Sequence, residues 1–303
     1  MLSSLITLAT LASAVAGAPC VLQARNGSAF EYIFAFGDSY TQTGFDITLA
    51  PPSAQNPIGN PPLPGFTTSG GPNWLITLLT SRTPNILTYN FASGGATTNA
   101  SLVTPFAPTV LSLTDQVALF NTHLNPGGSS PSPAASAWTS SNSLFAIWIG
   151  VNDVGNGWYT SSWATTLPAA LMAAYTAQLE SLFAAGARNF LALTVPPIQR
   201  TPMMLTNDAY ARDSVTQAVA KYNALLTDAV AKFAASKGDE VRTWVVDSTP
   251  AFERVLNDPA AYGAPDATCF NEDGVSCLWF NDYHPGQAIQ RLVGEAAAAA
   301  LEI

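Results

Sequence analysis

The chain has 303 residues and a formal net charge of −9; 48% of its residues are hydrophobic and only 10% are charged. That is enough apolar material for one large buried core and too much for a disordered chain. The acidic balance excludes nucleic acid and anionic membrane surfaces as natural partners, because both would be repelled.

Residues 1–16 are apolar and small and end in Ala14-Val15-Ala16. The segment is too short to span a bilayer, and its end has the small-x-small pattern of a cleavage site. It reads as a signal peptide removed after Ala16, with residues 17–303 as a single secreted domain. No later stretch is long and apolar enough for a transmembrane helix. Asn26-Gly27-Ser28 and Asn99-Ala100-Ser101 are N-glycosylation sequons. Of the three cysteines, Cys269 and Cys277 flank a turn-like Asn271-Glu272-Asp273-Gly274 and are expected to pair in an oxidising compartment, leaving Cys20 over.

Five apolar, β-rich runs follow in order: Tyr32–Phe36, Leu87–Phe91, Leu144–Ile149, Phe190–Val195 and Arg242–Val246. Helical patterns lie between and after them, at Trp74–Leu79, Thr114–His123, Leu167–Ala185, Asp208–Ser236 and Pro285–Leu301. The alternation predicts an α/β domain with a parallel sheet and right-handed crossovers. Two long segments, Leu49–Gly71 and Asn125–Ser143, are rich in Pro, Gly, Ser and Asn and read as irregular; loops of that length inside a domain often carry function.

The first run stops in Gly37-Asp38-Ser39. A serine just past a first parallel strand stands where open α/β sheets build their sites, and near the start of the helix expected to follow. Taken alone, Asp38-Ser39 also reads as a simple helix cap. The second run ends in Ser93-Gly94-Gly95, whose glycines allow a backbone N–H to face a ligand or merely form a tight turn. The third ends in Gly150-Val151-Asn152-Asp153, where Asn152 is either a side-chain donor beyond a strand end or an Asx-turn residue. Histidine narrows the choice, since the chain has only His123 and His284. A serine nucleophile needs a base within hydrogen-bond reach. His123 ends a helical run, where a cation suits the helix C-terminus. His284, in Asn281-Asp282-Tyr283-His284-Pro285, has an acid beside it and is the expected base. Two separated histidines and three cysteines give no ligand cluster, so neither a metal nor a cofactor is expected.

Gly37-Asp38-Ser39, Gly95, Gly150-Val151-Asn152-Asp153 and His284-Pro285 together resemble, in order and spacing, the four blocks of the SGNH (GDSL) hydrolases. There is no Gly-x-Ser-x-Gly elbow of the α/β-hydrolase kind. Gly71-Pro72-Asn73-Trp74 and the stretch from Val195 to Pro202 are similar to fungal acetylesterases of carbohydrate esterase family 16. The resemblance implies a three-layer α/β/α sandwich around a five-stranded parallel sheet. It implies Ser39 as nucleophile, His284 as base, and an oxyanion hole made by the Ser39 N–H, the Gly95 N–H and the Asn152 side chain. The family's orienting Asp stands three residues before the His, where this chain has Asn281. Asp282 is the expected orienting acid, with Asn281 or a backbone carbonyl as the alternative. Trp158, Tyr159 and Trp163 follow the third block and read either as sugar-contacting faces or as packing, while Trp74 reads as core. The implied function is a secreted serine esterase removing acetyl groups from small esters or saccharides. A lipase or phospholipase of the same superfamily and a non-catalytic saccharide-binding homologue are the alternatives.

Overall fold

A computed structural model describes residues 30–81 and 84–303. The leader, its cleavage after Ala16, Cys20 and Asn26 lie outside the described residues. In chain order the elements are β1 (Tyr32–Gly37), α1 (Trp74–Leu79), β2 (Leu87–Asn90), α2 (Leu113–His123), β3 (Ser143–Trp148), α3 (Val151–Gly157), α4 (Ser161–Thr165), α5 (Leu167–Ala184), β4 (Asn189–Leu193), α6 (Pro202–Leu205), α7 (Ala209–Lys237), β5 (Arg242–Val246), α8 (Thr249–Leu256) and α9 (Gln287–Leu301).

The five strands form one sheet in the order β2-β1-β3-β4-β5, every neighbour parallel. A central parallel strand is covered on both faces, which is why β3 is buried at all six positions and reads in sequence as an unbroken apolar run. The step from β1 to β2 runs one way along the sheet and the later steps run the other. With right-handed crossovers, α1 then falls on the face opposite α2, α5 and α7. The packing agrees: α9 touches both α1 and α8, and α5 touches both α2 and α7. Phe34 and Phe36, two apart on β1 and so on one face, both meet Phe120 of α2, with ring centroids 5.1 and 6.1 Å away. Phe34 also lies 4.9 Å from Phe145 of β3. Each such buried ring contributes about 1.5–3 kcal/mol through the area it removes from water.

The strand order reverses between β1 and β3, so the crevice beyond their carboxyl ends is where this architecture admits a ligand. Two details sharpen those ends. Gln116 of α2 clasps the peptide of Gly37, accepting from its N–H at 2.9 Å and donating to its carbonyl at 2.8 Å. Gly37 itself sits so close to β3 that a Cβ there would lie 2.3 Å from the Trp148 carbonyl oxygen.

Most expected elements form within two residues of their expected ends, and Leu49–Gly71 is irregular as expected. Three differ. No α-helix follows Ser39; the chain makes a single turn there, with the Asp38 carbonyl accepting from both Thr41 and Gln42. α3, α4, α6 and α8 form where the sequence pattern marks no element. Pro285 does not open the last helix, which begins at Gln287 after the N-cap Gly286. Cys269 and Cys277 are disulfide-bonded, their Cα atoms 5.2 Å apart. No described helix is long and apolar enough to cross a membrane.

Candidate active site

The turn carrying Ser39 is held by its neighbours' amides. The Asn73 side chain caps α1, accepting from Ile76, and donates to the carbonyls of Thr41 at 2.9 Å and Gln42 at 3.1 Å. Asn90, at the end of β2, donates to the same Thr41 carbonyl at 2.7 Å. These side chains take the carbonyls that a helix after Ser39 would have used, which is the physical reason none forms. Trp74 is fully buried, as expected of core, and its indole N–H donates to Thr41 Oγ1 at 3.0 Å. Thr68, from the first long loop, donates to the Ser39 carbonyl at 2.7 Å. Asp38 accepts from the Tyr40 N–H at 2.9 Å, so it caps a turn rather than a helix.

His284 Nε2 lies 2.8 Å from Ser39 Oγ, joining residues 245 apart in sequence. Its Nδ1 lies 2.9 Å from Asn281 Oδ1. That oxygen also accepts from the backbone N–H groups of His284 at 2.8 Å and Tyr283 at 3.0 Å. Because Oδ1 is an acceptor, Nδ1 carries the proton and Nε2 is free to accept from the Ser39 hydroxyl. Asp282, the expected partner, is not on Nδ1. It is exposed, and its carbonyl accepts from the Met203 N–H at 2.8 Å. The reason is local: an Asn accepting from the N–H groups two and three residues on forms an Asx turn, which brings its oxygen back to the imidazole and sends the next side chain outward. Burial pushes the His284 pKa down to about 4, with the nearby Asp282 charge opposing that shift. Tyr40 locks the two halves together, its hydroxyl donating to the Tyr283 carbonyl at 2.7 Å.

Gly95 and Asn152 line the same cleft as Ser39. Gly95 has φ +82°, and a Cβ there would meet Phe106 Cβ at 2.3 Å, so only glycine fits the turn. Among the described residues the N–H groups of Ser39 and Gly95 have no hydrogen-bond partner. Asn152 spends one side-chain N–H on the Ala96 carbonyl at 2.9 Å, and its second remains. The next residue, Asp153, fastens the Gly95 turn to α3: both carboxylate oxygens accept from the Thr98 N–H at 3.0 Å, and one also accepts the Thr98 hydroxyl. Burial pushes the Asp153 pKa up to about 7. Asp38, fully buried, is likewise pushed up to about 7, by burial first and by the Asp153 charge as a lesser cause.

The cleft measures ≈ 500 Å³, and Phe106 and Met203 supply much of its apolar wall. Neither residue was singled out in sequence. Met203 follows Thr201-Pro202, whose Thr caps α6, so that stretch held a signal; nothing in sequence marked Phe106, which its own N–H ties to the Gly95 carbonyl at 3.1 Å. His123 closes α2 and does not line the cleft. Of the three aromatics after the third block, Trp163 is buried packing, Trp158 is half-buried and Tyr159 is 66% exposed. Asn99 is bound into its own turn, accepting from Ser101 at 2.8 Å.

A hydroxyl, a neutral imidazole hydrogen-bonded to it and unspent N–H donors lining the same cleft suit acyl transfer. The model of the GDSL-like lipase/acylhydrolase family matches residues 33–297. The chain belongs to that family. It is therefore an enzyme of the carboxylic ester hydrolase class. An acetylesterase of Thermothelomyces thermophilus is 50% identical over 272 residues, covering 89% of this chain and 88% of the relative. Among solved structures, a mutant acetyl-xylooligosaccharide esterase from Geobacillus stearothermophilus superposes with a TM-score of 0.53 at 16% identity, covering 91% of this chain and 96% of the other. A mutant acetyl xylan esterase from the same organism gives a TM-score of 0.53 at 15% identity, with 90% and 95% covered. At such identities the likeness speaks for the three-layer fold alone.

Proposed function

We propose that this hydrolase is a secreted serine acetylesterase that deacetylates saccharide esters of the plant cell wall. The observation that carries the mechanism is the line Ser39 Oγ, His284 Nε2 and Nδ1, Asn281 Oδ1, at 2.8 and 2.9 Å. Ser39 attacks the ester carbonyl while His284 takes its proton. The carbonyl oxygen becomes an oxyanion received by the N–H groups of Ser39 and Gly95 and the free N–H of Asn152. The tetrahedral intermediate collapses as His284 returns the proton to the departing sugar hydroxyl, leaving an acetyl-enzyme. Water then adds to that ester, again with His284 as base, and releases acetate. Asn281 holds the imidazole in the tautomer the first step requires but lends it no charge.

The acetyl preference is supported by the 50% identical acetylesterase. Secretion is supported by the apolar leader, with residues 17–303 as one domain behind it, and by the Cys269–Cys277 bridge. The test is intact-mass analysis after exposure to a serine-directed phosphonate, beside acetate release from an aryl acetate and an acetylated xyloside. The expected result is one adduct on the wild-type protein, none on Ser39→Ala, and loss of several decades of turnover in that variant. Turnover by Ser39→Ala at the wild-type rate would sink the assignment.

A further inference from the structure

The catalytic cleft does not end at its own rim. Asn156, near the end of α3, lines both the cleft and a neighbouring recess of ≈ 350 Å³. Tyr159 and Thr160 in turn line that recess and a groove of ≈ 660 Å³ beyond it. The far wall of the groove is one face of α7: Tyr210, Ser214, Gln217 and Lys221 recur at the helical spacing of three and four residues. Two aromatic rings stand out of this path, with Tyr159 66% and Tyr210 78% exposed. Tyr159 is braced edge-on against Trp158, ring centroids 5.5 Å apart. The remaining lining offers hydroxyls and an amide. No carboxylate lines the groove, and its one ammonium, on Lys221, already donates to the Trp163 carbonyl at 3.1 Å.

Exposed rings beside hydroxyl and amide groups, with no carboxylate and with the single ammonium already held on a backbone carbonyl, match a neutral chain of sugar rings. We propose that the path from Asn156 over Tyr159 to Tyr210 is a distal saccharide subsite. It would bind the sugar residues beyond the acetylated ring and give the enzyme a preference for oligosaccharide over monosaccharide acetates. This rests on the saccharide-ester reading above and adds a second binding region to it.

The experiment compares kcat and KM on three substrates: 4-nitrophenyl acetate, acetylated methyl β-xyloside and acetylated β-1,4-xylotriose. The wild type should show a higher kcat/KM on the trisaccharide than on the monosaccharide. Tyr159→Ala, and Tyr210→Ala separately, should each raise KM for the trisaccharide by about three- to tenfold with kcat retained, the size of one lost ring contact. The ratio of trisaccharide to monosaccharide kcat/KM should therefore fall toward one. Equal efficiency of the wild type on both saccharides, or an advantage that survives both substitutions, overturns the subsite and leaves the acetylesterase reading standing. Turnover of 4-nitrophenyl acetate with neither saccharide cleaved overturns the saccharide reading and the subsite with it.

Discussion

Replacing Asn281 by Asp is expected to move the acid limb of the pH–rate profile upward. All three hydrogen bonds on that side chain are accepted by Oδ1, so a carboxylate can keep every one of them. What changes is the charge 2.9 Å from Nδ1. In the wild type, burial holds the His284 pKa down to about 4. An opposite charge at that range moves a group by roughly 1–3 units, so the variant should titrate at about 5–7. One unit is about 1.4 kcal/mol between the two protonation states, so the imidazolium formed during attack gains at most about tenfold in rate per unit. The assay is kcat/KM for an aryl acetate from about pH 3 to 8, which reports the free enzyme's base. Asn281→Ala should instead lose about 10²-fold or more through an unheld ring. Asp282→Asn, removing an exposed and screened charge, should lower the limb by less than a unit. An unmoved limb in Asn281→Asp, or a larger loss in Asp282→Asn than in Asn281→Ala, would refute the assignment of Asn281 as the residue that holds the base.

Asn152→Ala should lower kcat by about 10²–10³ with KM nearly unchanged, because its free N–H acts on charge that develops only during reaction; a change confined to KM would place Asn152 in ground-state binding. Replacing Cys269 and Cys277 by Ser should cost about 2.5 kcal/mol of stability by loop-entropy arithmetic. It should also lower kcat measured well below the melting point, because the bridged loop runs through Asn271–Trp279 and Phe280–His284 backbone bonds to the base; full kcat in the folded variant would limit the bridge to stability. Stability should be higher near pH 5 than near pH 8. Asp38 and Asp153, raised to about 7, contribute fully below their unfolded value of 3.8 and lose that contribution as pH rises through 7. His284, depressed to about 4, has the opposite sign: its contribution is present above its unfolded value of 6.5 and lost as pH falls through 4. Two acids outweigh one base, and a melting temperature that rises from pH 5 to pH 8 would contradict this.

What the sequence displays depends on whether a residue's role is local. β1 and β3 are legible because strands covered on both faces must be apolar throughout. The pairing of Ser39 with His284 is legible because a strand end and a shortage of histidines leave few alternatives. α3 is not legible, since Val151–Gly157 contains two glycines, each costing about 1 kcal/mol in a helix. Tertiary contact requires them: a Cβ at Gly155 would lie 2.9 Å from the Tyr283 hydroxyl, and one at Gly157 2.9 Å from the Trp163 ring. The turn after Ser39 was hidden for the same reason, as the amides that end it come from Asn73 and Asn90, far along the chain. Asn281 rather than Asp282 reaches the imidazole because the Asx turn places its oxygen there, a matter of geometry that charge alone does not reveal.

The charges around Ser39 point to one working range. An oxyanion formed beside Ser39 would be opposed by any negative charge buried nearby, and Asp38, in the turn before Ser39, and Asp153, on α3, are both fully buried. Below about 7 each is held protonated by its burial, and Asp153 in its charged form would push Asp38 further the same way. His284 meanwhile needs to be neutral to accept the Ser39 proton, which its burial secures above about 4. A carboxylate at position 281 would add a negative charge beside a base whose two buried acid neighbours are neutral in this range. Asn281 supplies the geometry without that charge and keeps the base neutral further into acid. The neutral base and the neutral acids coexist between about pH 4 and pH 7, so the residue that departs from the family pattern fits the electrostatics of the site around it.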